Sequence, residues 1–176
     1  MSRSPRSPSL QLPPHRGGRT SLCRVVPFIR NGRRSDLRGD RGLERRDGKP
    51  DLAAANFNSG TVSVLLGNGN GTFGTRADYA TGFWPSSVAI GELNGDGKPD
   101  LVVVNSFPYP NTVSVLLGNG HGTFGVKTDF GTGGGPQSVA IGELNNDGRP
   151  DLAVANSESN TVSVLLGNGD GTFGAK

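Results

Sequence analysis

The segment "TVSVLLGNGHGTFG" at residues 112–125 indicates a repeat, because nearly the same string occurs at 61–74 and again at 161–174. A second shared segment, SVAIGEL, occurs at 87–93 and at 138–144. Self-similarity at a fixed period of about 50 residues is typical of repeat architectures, and a period of this length lies within the range of a propeller blade. The chain is therefore expected to be an array of similar supersecondary units.

Each unit has the composition of β-strands. The runs SVAIGEL, DLVVVN and TVSVLL are rich in Val, Ile and Leu and are bounded by Gly, Asn, Asp and Pro, which is typical of strands. The Gly-Asn-Gly segment after TVSVLL tolerates positive φ, as a tight hairpin requires, so the segment led by GTF is predicted to return as a fourth strand. Four consecutive apolar residues at 101–104 favour a strand covered on both faces. We predict an all-β fold, a partial β-propeller of about three four-stranded blades.

Charge divides the chain into two parts. Residues 1–46 carry a formal charge of +9 and residues 47–176 carry −6, although the whole chain is at +3. The first part is rich in Arg and Pro, and we predict a disordered segment there. It lacks interleaved aromatic residues for base stacking, so nucleic-acid binding is not favoured. The second part is predicted to hold repeats at approximately 47–86, 87–137 and 138–176.

The loop "ELNGDGKPD" at 92–100 carries the chemistry of the unit. Side-chain oxygens stand at its positions 1, 3, 5 and 9, and the carbonyl of position 7 can face the same centre. Calcium takes six to eight oxygen ligands, and this spacing supplies most of such a shell. The predicted ligands are Glu92, Asn94, Asp96, Lys98 (carbonyl) and Asp100, and in the third unit Glu143, Asn145, Asp147, Arg149 (carbonyl) and Asp151. The alternative is an Asx-rich turn that needs no metal.

The first unit keeps only half of this loop. It has Leu43 and Arg45 at the first two ligand positions and retains only Asp47 and Asp51. A leucine cannot coordinate a cation and an arginine brings positive charge, so we predict no cation site there.

The match to the other units stops abruptly before Asp47, which suggests a change of reading frame. With third bases chosen freely, codons for Ile29 to Arg45 read one base later can encode "YATGGGPISVAIGDLNG", close to "YATGFWPSSVAIGELNG" at 79–95. Residues up to about 46 are then an out-of-frame translation of blade sequence. The coding DNA decides between this hypothesis and a genuine basic tail.

The unit from SVAIGELNGDGKPDLVVVNS to NTVSVLLGNGHGTFG resembles an FG-GAP repeat, also called VCBS. This is the blade of the seven-bladed propellers at the head of integrin alpha chains and in many secreted bacterial proteins. The resemblance covers roughly residues 47–176. It implies calcium in each intact loop, a role in adhesion, ligand binding or scaffolding with a protein or carbohydrate ligand, and a secreted or cell-surface location. The family loop usually opens with Asp, whereas Glu92 and Glu143 stand first here.

Further features bear on the class of function. The only histidines are His15 and His121 and the only cysteine is Cys23, so no catalytic constellation emerges and a non-catalytic role is expected, with an accessory region of a secreted enzyme as the alternative. No apolar run has the length of a membrane span or of a secretory signal core. Because propellers close with four to eight blades, we expect a fragment of a longer protein, with open blade edges that favour self-association.

Overall fold

The computed structural model describes residues 24–27, 49–106 and 110–174. These contain strands and turns but no helix, so the all-β prediction is confirmed. The strands are β1 (Arg24–Pro27), β2 (Leu52–Asn56), β3 (Thr61–Leu65), β4 (Ala77–Ala80), β5 (Pro85–Gly91), β6 (Asp100–Asn105), β7 (Thr112–Leu116), β8 (Thr128–Gly131), β9 (Pro136–Gly142), β10 (Asp151–Asn156) and β11 (Thr161–Leu165).

The strands form three separate antiparallel meanders. The first sheet has the order β1-β2-β3-β4 and the second the order β5-β6-β7-β8. The third contains β9, β10 and β11 among the described residues, so the fourth strand predicted for that blade is not found there. Over the part of the chain that the structure describes, these sheets form an open array of three blades and do not join into a closed ring.

The hairpin after TVSVLL is tight, as predicted, and the GTF segment forms its closing side. An isolated bridge joins Gly118 to Phe124, and the amide of Asn119 donates to the carbonyl of Thr123 at 2.8 Å. The fourth strand of the second blade begins only at Thr128. The prediction that GTF leads this strand is therefore wrong, because GTF closes the turn instead.

Of residues 1–46, for which disorder is predicted, the structure describes only 24–27. Residues 24–27 form β1, which pairs antiparallel with β2 in the register Val25 opposite Ala54. In the second blade, Val88 lies opposite Val103 in the same way. Ala54 and Val103 are equivalent, since each pairs with the serine of TVSVLL. The segment RVVP thus takes the position that SVAI holds in the second blade, and the remainder of 1–48 lies outside the described residues.

The core lies between successive sheets. Every residue of β6 and β7 is buried, which agrees with the prediction of a strand covered on both faces. Two ring contacts link neighbouring blades edge to face: Tyr79 with Phe124 at 5.2 Å, and Phe130 with Phe173 at 5.3 Å. Apolar burial of this kind holds repeat arrays together through nearest-neighbour interfaces. The two buried clusters are Ala53, Val62, Val64, Val88, Leu101, Val103, Leu116 and Phe124, and Leu93, Val102, Val104, Val113, Val115, Leu152, Val154, Leu165 and Phe173.

Candidate functional site

The predicted metal loops connect the first two strands of their blades. The loop at 92–99 runs from the end of β5 to the start of β6, and the loop at 143–150 runs from β9 to β10. Leu93 is 1% exposed, whereas Leu144, at the same position of the next unit, is 51% exposed. The two loops therefore have similar sequences but lie in different surroundings.

The loop of the second blade is closed by hydrogen bonds to its own backbone. Glu92 Oε1 accepts from the amides of Asn94 at 3.0 Å and Gly95 at 2.5 Å. Asn94 Oδ1 then accepts from the amide of Asp96 at 3.1 Å, and Asp96 Oδ1 from the amide of Lys98 at 2.8 Å. These are successive Asx-type turns, which Asp and Asn favour. The ammonium of Lys98 also lies 3.0 Å from Asp96 Oδ2.

The loop of the third blade repeats this arrangement. Glu143 Oε1 accepts from the amides of Asn145 at 3.0 Å and Asn146 at 2.7 Å, and Oε2 accepts from Gly148 at 2.5 Å. The leading glutamate thus curls back over its own loop in both copies. Two further turns follow: the amide of Asp147 donates to Asn145 Oδ1 at 3.2 Å, and that of Arg149 donates to Asp147 Oδ1 at 2.8 Å.

The aspartate at the ninth position has a different role. Asp100 is 0% exposed. Its Oδ2 accepts from the amide of Leu93 and its Oδ1 from the amide of Gly118, both at 2.8 Å. It therefore joins the loop to the start of the hairpin turn that follows β7. In the other two blades, the amide of Gly67 donates the same bond to Asp51 Oδ1, and the amide of Gly167 donates it to Asp151 Oδ1.

The pKa values of the buried aspartate Asp100 and of the exposed loop aspartates shift in opposite directions. Burial raises the pKa of Asp100 to about 6, outweighing its two backbone hydrogen bonds, and the charges of Asp96 and Glu92 add to the rise. Burial opposes the shift at Asp96, but hydrogen bonds from the backbone and side chain of Lys98 hold the pKa of Asp96 below its usual value. The hydrogen bond from the Arg149 amide lowers the pKa of Asp147. The exposed carboxylates are thus stabilised as anions and the buried one is not.

The donor chemistry of these loops fits calcium, but the side chains are not gathered around one point. All five predicted ligands in each loop offer oxygen, which a hard cation prefers. Within the described residues, no three carboxylate, imidazole or thiol groups lie close enough together to hold a metal ion. The first-unit positions 43, 45 and 47 lie outside the described residues. The metal ligands therefore remain a prediction.

A groove that the repeat pattern did not indicate lies between the β2–β3 turn and the β4–β5 link. Phe57 and Trp84 stack in it with ring centroids 5.1 Å apart. Phe83 and Trp84 are 68% and 40% exposed. Sequence alone offered one signal: the link "TGFWP" at 81–85 has Phe and Trp where the next link, "TGGGP" at 132–136, has two glycines.

The chain was compared with known protein families and with curated proteins. A family model described as "FG-GAP-like repeat" matches residues 46–103, 93–154 and 143–176. No curated protein matches the chain.

One solved structure resembles the chain in fold. It concerns the specific recognition of non-reducing terminal N-acetylglucosamine by an Agrocybe aegerita lectin. It is 28% identical, with a TM-score of 0.52, over 77% of this chain and 36% of the lectin chain. This chain therefore spans about a third of the length of that lectin.

Proposed function

The chain belongs to the FG-GAP-like repeat family, and we propose that its blades form a non-catalytic, calcium-stabilised module that binds carbohydrate. The module belongs to a protein that is secreted or exposed at the cell surface, where it serves in adhesion, ligand binding or scaffolding. A propeller region that accompanies a secreted enzyme is the alternative. Among the described residues no helix is long and apolar enough to cross a membrane.

The likeness to the lectin carries the carbohydrate part of this proposal. It extends over 77% of this chain and includes sequence identity as well as fold. Fold alone does not determine function, because one fold hosts many sites. The aromatic groove adds a local feature of the chain itself, since exposed aromatic faces are suited to ligands with an apolar side.

The all-oxygen loops support the calcium part. A bound calcium ion would draw the loop oxygens together and neutralise part of their charge. Glu92 and Asp96 already accept backbone hydrogen bonds, and Lys98 lies beside Asp96. A cation has to compete with these contacts, so we expect weaker binding than in a loop that opens with Asp.

The experiment for the proposed function is a glycan array probed with the full chain, in calcium and in EDTA. We expect binding to neutral terminal sugars that weakens in EDTA, because the loops support the blades that present the site. If the chain binds no glycan on the array, in calcium or in EDTA, the carbohydrate proposal is contradicted. Equal binding in calcium and EDTA would contradict only the role of the metal.

Self-association is a second proposal, favoured by the outer face of the third blade. Val162 and Val164 of β11 are 64% and 38% exposed, whereas the equivalent Val113 and Val115 of β7 are 0% and 2% exposed. The third blade covers this face of the second blade. We propose that another blade, from a second copy or from a longer chain, covers the same face of the third blade.

A further inference from the structure

We propose that the groove between the β2–β3 turn and the β4–β5 link binds the face of one neutral terminal sugar ring, with the indole of Trp84 as its stacking platform. The inference deepens the carbohydrate-binding function proposed above and rests on it. It assigns that function to one place, at the boundary between the first two blades.

The backbone at Trp84 is the first observation. Trp84 has φ of 48°, in the left-handed region, and Gly135 stands at the equivalent position of the next link with φ of 64°. A bulky residue is strained in this region, whereas glycine is not. The local backbone therefore favours glycine at both links, and the side chain of Trp84 needs another explanation. Strain of this kind is concentrated at ligand sites.

The arrangement of the rings is the second observation. Phe57 stacks on Trp84 with an interplanar angle of 23°. This contact holds the indole in one orientation while 40% of Trp84 stays accessible. Phe83, 68% exposed, directly precedes Trp84 in the same link and adds apolar surface beside it. A rigid aromatic side chain of this kind binds with little loss of conformational entropy.

The size of the groove and its uncharged lining indicate the class of ligand. Its volume is about 200 Å³, below the roughly 300–1,000 Å³ of sites for drug-sized ligands, so it suits one ring. The described residues that line it carry no charge, which disfavours phosphates and charged peptides. Asn58, Ser59 and Thr81 supply polar groups around the aromatic floor. A pyranose matches this, since its C–H face packs on an electron-rich ring while its hydroxyls need polar partners.

Because Trp84 is the only tryptophan in the chain, its fluorescence reports on this groove alone. The full chain is titrated with the methyl glycosides of N-acetylglucosamine, galactose and mannose. We expect a saturable change in indole emission with at least one of them, at a dissociation constant of about 1 mM for a single ring.

Variants test whether sugar binds in this groove, as distinct from whether the chain binds sugar at all. Their affinities are measured by calorimetry. Trp84→Gly installs the residue that the next link already has and should weaken sugar binding roughly tenfold or more. Trp84→Tyr keeps an aromatic face and should bind within about threefold of the wild type. Val126→Ala changes a residue 95% exposed outside the groove and serves as the control.

Three results would overturn the proposal. Unchanged affinity in Trp84→Gly removes the site but leaves the carbohydrate function standing. No binding of any sugar by the wild type, on the array or by calorimetry, removes both. A response of Trp84 to an apolar dye but not to sugars, with sugar binding present by calorimetry, assigns the groove to an apolar partner instead.

Discussion

Asp100 Oδ1 accepts a hydrogen bond from the amide of Gly118 at 2.8 Å, across 18 residues of sequence. The bond fastens the loop before β6 to the turn after β7. Its counterpart in the first blade, Asp51 to Gly67, is present at 2.7 Å although the front half of that loop departs from the repeat. The end of the motif therefore has a structural role that does not depend on metal ligands at its start.

Replacement of Asp100 by alanine should destabilise the fold by about 3 kcal/mol, because it leaves two buried amides without acceptors. Asp96→Ala is the matched control, since it removes a carboxylate that is partly exposed, and it should cost about 0.5 kcal/mol. Denaturant unfolding of both variants in EDTA gives the comparison. Equal losses in the two variants would contradict the structural role of Asp100.

Stability should fall as the pH rises past the pKa of Asp100, which is about 6 in the folded chain against an ordinary value of 3.8. The folded state holds this proton more tightly than the unfolded state, so the contribution is complete below about pH 4 and is lost as the pH rises through 6. In EDTA, the stability of the wild type relative to Asp100→Asn should decrease by about 2 kcal/mol between pH 4 and pH 7. A difference that stays constant over this range would refute the raised pKa.

Gly118→Ala should destabilise the chain by about 3 kcal/mol or more. A Cβ atom at this position would stand 2.1 Å from the backbone oxygen of Pro99, which cannot move aside as a flexible side chain would. Gly142→Ala is the control, because a Cβ atom there meets nothing within 4 Å. Thermal unfolding should separate the two variants widely, and a Gly118→Ala protein as stable as the control would contradict the close approach.

The exposed face of β11 should drive concentration-dependent association. Val162→Lys places a charge on this face and should shift the chain toward monomer in sedimentation velocity. Val126→Lys adds the same charge at a residue that is 95% exposed in the connection before β8 and should leave association unchanged. A wild type that stays monomeric at high concentration would argue against a second copy on this face.

Calcium should raise the melting temperature, because a ligand bound only by the folded state stabilises that state. Glu92→Asp, which restores the residue usual at the head of the family loop, should enlarge the rise. Asp147→Ala combined with Asp96→Ala should abolish it. Identical melting curves with calcium and with EDTA, in the wild type and in Glu92→Asp, would mean that the loops are metal-free turns.

Local sequence was enough to predict the strands but not every contact between them. DLVVVN and TVSVLL became β6 and β7 because runs of β-branched residues bounded by turn residues have few alternatives. The GTF segment was misplaced, since a short extended segment and the closing side of a tight turn have the same composition. Local sequence thus sets whether a segment forms a strand. The residue at which the strand begins or ends depends on the neighbouring strand with which it pairs.

The candidate site shows the same limit. The spacing of the loop oxygens follows from sequence, but their direction does not, and Glu92 turns toward backbone amides rather than toward a shared centre. Phe57 and Trp84 are distant in sequence and meet only because one blade's turn lies beside the link to the next blade. Contacts of this kind depend on the packing of whole elements.

The pairing of β1 with β2 bears on how a repeat unit tolerates a change of sequence. Arg24–Pro27 pair antiparallel with β2, so an upstream segment stands where the first strand of the blade is expected. If residues up to about 46 are an out-of-frame translation, the neighbouring blade still has a sheet to pack against. One repeat unit can therefore lose its sequence pattern while the rest of the array stays folded. A domain with a single shared core lacks this tolerance to mutation.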